Sequence, residues 1–288
     1  MLGILICNGY VSNNKFDKFY EFIKTSFFDE KITLKIVKNT EIPVILNVDP
    51  FKNEKVDFIL FLDKDITLAR HLELLGYKVY NSSSSIEKCD DKGKTHIELV
   101  NDKNINMPKT MLIPFSYEKR FPSFESLLKE FVSPFIVKER KGSFGEQVYL
   151  VYSNNDWNKI IMNSSSSLLI QEYLHYNFHE DYRIYVVNDR VICSFKRTGN
   201  GDDFRANVTL GGKMEEVTLP KEYEDMAIYI TKKLGLSFAG LDFIEGKNGE
   251  PIFIEANSNA HFLNAYNVSG INVAKYIAKF IKMDLKGK

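Results

Sequence analysis

Two apolar stretches near the end of the chain decide its fold: Gly240-Leu-Asp242-Phe-Ile-Glu and Ile252-Phe-Ile-Glu255-Ala-Asn257. Each has the length of a β-strand, and the polar residues between them predict a hairpin turn. If the two strands are neighbours, Asp242 and Glu255 face one cleft, and Asn257 shares the face of Glu255. Charged groups inside apolar strands are unfavourable unless paired, so a metal site is favoured over a solvated sheet end. Their oxygen ligands suit Mg²⁺.

The composition argues against several classes of protein. At 288 residues the chain exceeds the usual size of one domain, so two or three lobes around one cleft are expected. Lys and Arg total 38, as do Asp and Glu, so no net charge draws the chain to nucleic acid or to an anionic membrane. No apolar run approaches the roughly 20 residues of a membrane span. Cys7, Cys89 and Cys193 show neither metal-ligand spacing nor a disulfide framework, which predicts a cytoplasmic protein.

The first 80 residues alternate between strand and helix patterns. Extended segments are predicted at 2–7, 33–37, 58–62 and 78–80, and helices at 16–28 and 66–75. Short apolar strands separated by helices predict a small, mostly parallel α/β sheet. This part is Rossmann-like in outline, but it lacks a glycine fingerprint and so gives no signal for a dinucleotide. We place the end of this first domain, 1–90, at the following polar region.

The rest of the chain is predicted to contain a mostly antiparallel sheet backed by helices. Strands are predicted at 168–173, 183–187, 191–195, 240–244 and 251–255, and helices at 94–104 and 157–162. An amphipathic helix ending at Gly235 presents one apolar face, made of Tyr223, Ala227, Ile230 and Leu234. The serine runs 82–85 and 164–167 are interpreted as ordinary polar surface segments. Two domains are predicted here, 91–170 and 171–288.

A glycine-containing turn follows a strand that ends in Lys138 and leads into another strand through Gly142, Ser143 and Gly145. Glycine lets the backbone approach an anion closely, and consecutive amides can cradle phosphate oxygens while a lysine adds positive charge. The motif is not a Walker loop. Taken alone, it is more simply interpreted as an ordinary hairpin beside a lysine.

Cations are concentrated in a third region, which contains Asp181-Tyr-Arg183, Lys196-Arg197 and Arg205-Ala-Asn207. Arginine offers paired donors to phosphate or carboxylate. For each arginine alone, a surface ion pair is the simpler interpretation. When the arginines are considered together with the two other segments, surface ion pairs become the less favoured interpretation.

Taken in order, these segments resemble the ATP-grasp superfamily, and within it the RimK-type, alpha-L-glutamate ligase-like carboxylate-amine ligases, over about residues 88–280. Asp91-Lys92 and Pro108-Lys-Thr110 resemble the start of the family's nucleotide-binding region. The resemblance implies an α/β (α+β) ATP-grasp fold with an N-terminal Rossmann-like (pre-ATP-grasp) lobe. It also implies ATP and Mg²⁺ as cofactors, with Mn²⁺ as an alternative ion.

The same resemblance implies a role for individual residues. ATP would be contacted by Lys92, Lys138, Gly142, Ser143, Gly145, Gln171, Glu172, Tyr173, Leu174, Glu180, Lys196 and Asn207. The catalytic arginines would be Arg183, Arg197 and Arg205, and the metal ligands Asp242, Glu255 and Asn257. The chain departs from the family pattern in the Glu-Arg-Lys after Lys138, in Glu146 within the glycine loop, and in His261-Phe262 near the acceptor pocket.

The implied reaction joins a small-molecule or peptide carboxylate to an amino-acid amine through an acylphosphate. Glutamate is the expected amino acid. Two alternatives stay open: a ring-forming ligase acting on a ribosomal precursor peptide, and a non-catalytic ATP-binding regulatory protein. No general base is assigned, because a lone histidine such as His175, His179 or His261 is more often structural. A homo-oligomer, either a dimer or a tetramer, is also expected from the resemblance.

Overall fold

The computed structural model of the chain describes residues 1–10, 16–142, 147–174, 176, 179–199 and 212–287. The strands of these residues form one parallel and two antiparallel sheets. This confirms the predicted α/β class. Among the described residues, no helix combines the length and the apolar character that crossing a membrane requires.

The N-terminal sheet is parallel and has the strand order β2-β1-β3-β4. Its strands are β1 (Leu2–Cys7), β2 (Thr33–Lys38), β3 (Phe58–Leu62) and β4 (Val79–Tyr80). Helix α1 (Asp17–Asp29) and helix α2 (Ile66–Leu74) accompany it. Alternate residues of β1 enter two different cores, Leu5 with Phe19 of α1, and Ile4 with Leu68 of α2. Both faces of the sheet are therefore covered, which explains why its central strands β1 and β3 are apolar at successive positions.

The first serine run is a helix start, so its interpretation as a surface segment is wrong. Ser82 caps helix α3 (Ser83–Asp90) by accepting the backbone N–H of Ser85, and both Ser83 and Ser85 are buried. Serine is favoured at this position because its hydroxyl satisfies an N–H that the helix leaves unpaired. Helix α4 (Lys92–Leu99) follows directly, capped by Asp91, and begins two residues before the predicted helix at 94–104.

The middle sheet is antiparallel and has the order β5-β8-β6-β7. Its strands are β5 (Thr110–Ile113), β6 (Phe135–Glu139), β7 (Val148–Val151) and β8 (Leu168–Glu172). Helices α5 (Phe124–Leu127) and α6 (Asn154–Asn163) pack on one face, where Trp157 is buried. The predicted hairpin of β6 and β7 is confirmed, whereas residues 143–146 of its turn lie outside the described residues.

The C-terminal sheet is antiparallel and has the order β11-β10-β9-β12-β13. Its strands are β9 (Glu180–Val187), β10 (Arg190–Thr198), β11 (Lys213–Glu216), β12 (Phe238–Glu245) and β13 (Pro251–Asn257). Helix α7 (Lys221–Leu234) backs it with the predicted apolar face and ends at Gly235, whose φ of 73° suits glycine. Both predicted hairpins, β9-β10 and β12-β13, are confirmed.

Two C-terminal helices, which the sequence analysis did not assign, connect the outer sheets. They are α8 (Leu263–Ser269) and α9 (Val273–Lys286). Ile277 and Ile281 of α9 belong to one core with Leu5 of the N-terminal sheet and Phe195 of the C-terminal sheet. The buried Asn81 side chain adds a polar link, donating to the carbonyls of Phe238 at 2.9 Å and Ser258 at 2.8 Å. These contacts hold the two sheets on either side of a common cleft.

Candidate functional site

A cleft of about 740 Å³ is lined by residues from all three sheets. Two strands each place a charged and an apolar residue, two positions apart, on the face that lines the cleft. These residues are Lys138 and Ile136 on β6, and Asp242 and Ile244 on β12. Further apolar residues in the lining are Pro108, Val148, Leu174 and Ile254. The cleft therefore offers both an apolar surface and a cluster of charges to a bound molecule.

The predicted metal ligands lie on neighbouring strands. Asp242 of β12 stands directly opposite Glu255 of β13, and Asn257 follows two residues later on the same strand. All three line the cleft, and the Asn257 Nδ2 is buried without a hydrogen-bond partner among the described residues. The described residues contain no group of three or more His, Cys, Asp or Glu side chains suited to a metal. Two carboxylates and one amide oxygen nevertheless fit Mg²⁺, which keeps several waters and takes phosphate oxygens as ligands.

Asp242 is the centre of a buried ion network. It accepts hydrogen bonds from the Arg183 Nε and, at 2.8 Å, from the Arg183 Nη2, and the Arg197 Nη2 lies 3.0 Å from its Oδ1. Arg197 also binds both oxygens of Asp181, at 2.6 and 2.7 Å. Strand register explains these pairs, since Arg183 is opposite Asp242 and Arg197 is opposite Asp181. These arginines are thus held in partly buried ion pairs facing the cleft rather than in exposed surface pairs.

The network keeps Asp242 and Arg197 charged. Burial by itself would raise the pKa of Asp242, but the two arginine partners together lower that pKa below its usual range. Burial would likewise lower the pKa of Arg197, which Asp181 and Asp242 instead raise. Any cation that binds Asp242 has to compete with two guanidinium groups, or these groups have to turn toward an arriving anion.

Two buried lysines provide positive charge beside these strands. Lys92 is 8 % exposed, and its Nζ lies 3.5 Å from the Glu255 Oε1 and donates to the Gly142 carbonyl at 3.2 Å. Lys138 is also 8 % exposed, and its pKa is lowered to about 8, mainly by burial and further by the charge of Lys92. Glu255 opposes this shift without cancelling it. A cleft that holds a partly uncompensated ammonium group favours an anionic ligand.

The position of Lys92 depends on the residues at the start of α4. Asp91 accepts the backbone N–H groups of Gly93 at 2.9 Å and Lys94 at 3.2 Å, which caps the helix. Arg140, after strand β6, binds both oxygens of Asp91, at 2.8 and 2.7 Å. This paired contact ties the helix carrying Lys92 to the strand carrying Lys138.

The predicted base-binding segment, 171–174, lines the cleft along its whole length. Gln171 is 1 % exposed, and its Nε2 donates to the Thr110 Oγ1 at 3.0 Å and lies 2.9 Å from the His96 Nε2. Its Oε1 is buried and has no partner among the described residues. The Glu172 carboxylate instead accepts the backbone N–H of Lys109 at 2.7 Å, so it is already engaged within the protein.

The other predicted contacts are only partly located. Glu180 lines the cleft and pairs with Lys196 at 2.8 Å, whereas Lys196 is outside the cleft lining that the structure describes. Ser143, Gly145, Arg205, Asn207 and His175 lie outside the described residues, so the predictions for them stay predictions. His96 was missed by the sequence analysis. The signal available for it was its position four residues after Lys92, which places both on one face of a helix.

The N-terminal sheet closes the far side of the cleft. Asp63 lines it and accepts hydrogen bonds from the side chains of Asn8 at 3.0 Å and Asn39 at 2.6 Å. The ring of His261 packs against the ring of Phe19, with 4.1 Å between their centroids. The lobe that lacks a dinucleotide fingerprint therefore still contributes polar and aromatic groups to the site, next to the departure from the family pattern at His261-Phe262.

Comparison with known proteins agrees with this architecture. The family model of the RimK-like ATP-grasp domain matches residues 89–281. An uncharacterized protein of Mycoplasma genitalium, MG012, is 34% identical over 81% of this chain and 82% of its own length. A probable alpha-L-glutamate ligase of Vibrio atlanticus is 30% identical over 76% of this chain and 72% of its own length.

The fold is also found in a solved structure of the ATP-grasp ligase PsnB in complex with a phosphomimetic variant of a minimal precursor, Mg and ADP. The similarity has a TM-score of 0.73 at 15% identity and covers 98% of each chain. Such low identity shows the shared fold alone. Because the family model spans most of the sequence, the chain belongs to the RimK-like ATP-grasp family of ATP-dependent ligases, enzymes that form carbon-nitrogen bonds.

Proposed function

We propose that this chain is an ATP-dependent carboxylate-amine ligase that adds an amino acid such as glutamate to a peptide, a protein or a small metabolite. One observation carries the proposal: a single cleft combines buried lysines and partly buried arginines with two neighbouring strands that supply Asp242, Glu255 and Asn257. A simple anion site would need the cations alone. The presence of carboxylates beside them suits a polyphosphate that arrives with a divalent cation.

In this proposal the phosphates of ATP lie against Lys92 and Lys138, and Arg197 turns toward the γ-phosphate. The base lies on the apolar surface beside 171–174, and Glu180 contacts the ribose. Cations in a buried site stabilise the charge that moves between the phosphates during the reaction, because little water is present to screen it. Gly142, Ser143, Gly145, Lys196, Arg205 and Asn207 complete the predicted set.

Asp242, Glu255 and Asn257 would hold Mg²⁺, with Mn²⁺ as a substitute. When bound, the ion supplies neutralisation of the negative charge on the phosphate oxygens. The protein's own part is to keep the Asp242 carboxylate ionised, and the pKa of Asp242 below its usual range serves that purpose. The ion pair with Lys92 holds the Glu255 carboxylate in place on β13 before the nucleotide arrives.

The chemistry follows in two steps. A carboxylate oxygen of the first substrate attacks the γ-phosphorus of ATP, and the bond to the ADP oxygen breaks, which leaves an acylphosphate. The nitrogen of the amine then attacks the acyl carbon, the bond from that carbon to the phosphate oxygen breaks, and the departing phosphate takes the proton that the amine loses. The buried Lys138 and the partly buried Arg183 and Arg197 lower the repulsion between the two anions that meet in the first step.

Two observations bear on the substrate. The Vibrio atlanticus relative is named a probable alpha-L-glutamate ligase, which supports glutamate as the added amino acid. The similarity in fold to PsnB, solved with a precursor, favours a peptide acceptor as the second candidate, including a ring-forming reaction. The cleft wall formed by Asn8, Asp63 and His261 would contact this second substrate.

The test is the release of ADP and phosphate from Mg-ATP with a panel of carboxylates and amino acids. Turnover that depends on both substrates, and that Glu255→Gln abolishes, is expected. Glu222→Gln, which changes an exposed side chain of α7, is the matched control and should leave turnover intact. ATP binding without turnover for any pair of substrates, including peptides, would instead support a non-catalytic ATP-binding regulatory protein.

We also propose that the protein works in the cytoplasm, where its buried free cysteines Cys7, Cys89 and Cys193 would stay reduced. A dimer or tetramer is proposed from the family resemblance alone. Light scattering of the purified chain measures its mass in solution, and a value near the 33.3 kDa of one chain would exclude both.

A further inference from the structure

His96 is a buried histidine that the proposed reaction does not use. It lies on α4 and is 6 % exposed, and its Nδ1 is 2.8 Å from the carbonyl oxygen of Lys92. A carbonyl oxygen only accepts hydrogen bonds, so the Nδ1 must carry a proton. Burial lowers the pKa of His96 to about 4, so the ring is neutral at physiological pH. The proton is therefore on Nδ1, and the Nε2 is an acceptor.

This tautomer determines the orientation of the neighbouring amide. The His96 Nε2 lies 2.9 Å from the Gln171 side chain, and as an acceptor it requires the amide NH₂ of Gln171 to face it. The same NH₂ donates to the Thr110 Oγ1 at 3.0 Å. The opposite orientation would place the Gln171 oxygen against an acceptor. The Gln171 Oε1 is thus left over, buried and without a partner among the described residues.

The leftover oxygen belongs to a residue that lines the cleft at its apolar surface. Gln171 of β8 is directly opposite Ile136 of β6 and Thr110 of β5. A buried acceptor without a donor is unfavourable, and a ligand with a donor at that point would relieve it. A planar base suits the apolar surface, whereas the phosphates suit the lysines, so the base is the part of the nucleotide that meets Gln171.

We propose that His96 is a positioning residue that selects the nucleobase, by fixing the Gln171 amide so that its oxygen accepts from an exocyclic amine. Adenine carries an amine at C6, whereas guanine and hypoxanthine carry a carbonyl there, which would face the Gln171 oxygen as a second acceptor. The inference rests on the proposed binding of ATP in this cleft. It assigns the choice of adenine to a residue that does not itself touch the base.

The experiment compares binding of ATP and inosine triphosphate, which has a carbonyl at C6, by calorimetry in the presence of Mg²⁺. Wild-type protein is expected to bind ATP about 10- to 100-fold more tightly, the range that one buried unpaired polar group produces. His96→Leu removes the acceptor, so the Gln171 amide can rotate and the preference should fall to within about 3-fold. In a Gln171→Leu background, His96→Leu should change the preference no further.

Each outcome separates the inference from the proposed function. Equal binding of the two nucleotides by the wild type would overturn the role of His96 and leave ATP binding in place. Binding of neither would overturn both. A His96→Leu variant that loses affinity for both nucleotides in proportion, with its preference unchanged, would show a merely structural histidine.

A second measurement needs no variant. Long-range proton-nitrogen NMR of histidine-labelled wild-type protein reports which ring nitrogen carries the proton. A neutral His96 with its proton on Nδ1 is expected. A proton on Nε2, or a charged ring at neutral pH, would overturn the argument at its first step, whether or not the variant folds.

Discussion

Replacing Lys138 by methionine should make the nucleotide-free protein more stable while it destroys activity. Lys138 is 8 % exposed, and the two carboxylates near its ammonium group only partly offset the effect of burial. Methionine has a similar length and no charge, so it can occupy the same space on β6. A lysine kept at such a position is unfavourable for folding, and the expected reason for it is the phosphate it meets in the complex.

The magnitude follows from the pKa. A fall from the ordinary value of 10.5 to about 8 corresponds to roughly 3 kcal/mol, since each pKa unit is worth about 1.4 kcal/mol. This is an upper value, because the gain is reduced wherever methionine does not fully replace the contacts made by the lysine stem. We therefore expect Lys138→Met to raise the free energy of unfolding by about 1 to 3 kcal/mol at pH 7.

The gain should depend on pH in a defined direction. Because the folded pKa of Lys138 lies below the unfolded one, the penalty is fully present below about pH 8. It disappears as the pH rises toward 10.5, where the lysine is neutral in both states. Wild-type stability should therefore approach that of the variant across this window.

Urea unfolding of the nucleotide-free proteins at several pH values measures this difference. Lys129→Met, at an exposed position of the same lobe, is the control and should change the stability by less than about 0.5 kcal/mol. ADP release by Lys138→Met should fall by about 100-fold or more. A variant that is less stable than wild type at pH 7, or a gain that is the same at pH 7 and pH 10.5, would refute the reasoning.

Three further outcomes are expected. Arg140→Ala should lower stability by about 2 kcal/mol and weaken ATP binding, because Asp91 loses a paired contact, and Arg140→Lys should not restore it; unfolding and calorimetry of both variants check this. Asp242→Ala should lower the free energy of unfolding by about 3 kcal/mol, because two partly buried arginines lose their shared partner, and thermal unfolding would show it. The pKa of His96 lies near 4, below its ordinary 6.5, so its burial destabilises the fold as the pH falls from 6.5 toward 4. His96→Leu should therefore show a shallower loss of stability in that window, measured by urea unfolding, and an unchanged slope would contradict it.

The alternation of apolar and polar residues was enough to predict much of the C-terminal sheet. The neighbouring strands that carry Asp242 and Glu255 were predicted because a short polar turn between two apolar runs has few other solutions. The helix ending at Gly235 was predicted from its apolar face, because a helix of this length must bury one side. These are local patterns, and local geometry decides them.

Other elements needed contacts between distant parts of the chain. Ser82 begins a helix rather than a surface segment, and Ser83 is held by Glu73, ten residues earlier, through its backbone N–H at 2.7 Å. Helix α9 buries its apolar face against both outer sheets, and no local pattern names those partners. The domain boundaries near residues 90 and 170 stay predictions.

The sequence by itself determined the chemical groups of the site: the cations, the two carboxylates and Asn257, in an order that identifies the family. Only the tertiary structure decided how these groups are paired. It placed Asp242 between two arginines and set His96 against Gln171, 75 residues away in the chain. The physical reason is that a charge or a proton position depends on the nearest partner in space. Folding chooses that partner from remote strands and helices, and no local pattern records the choice.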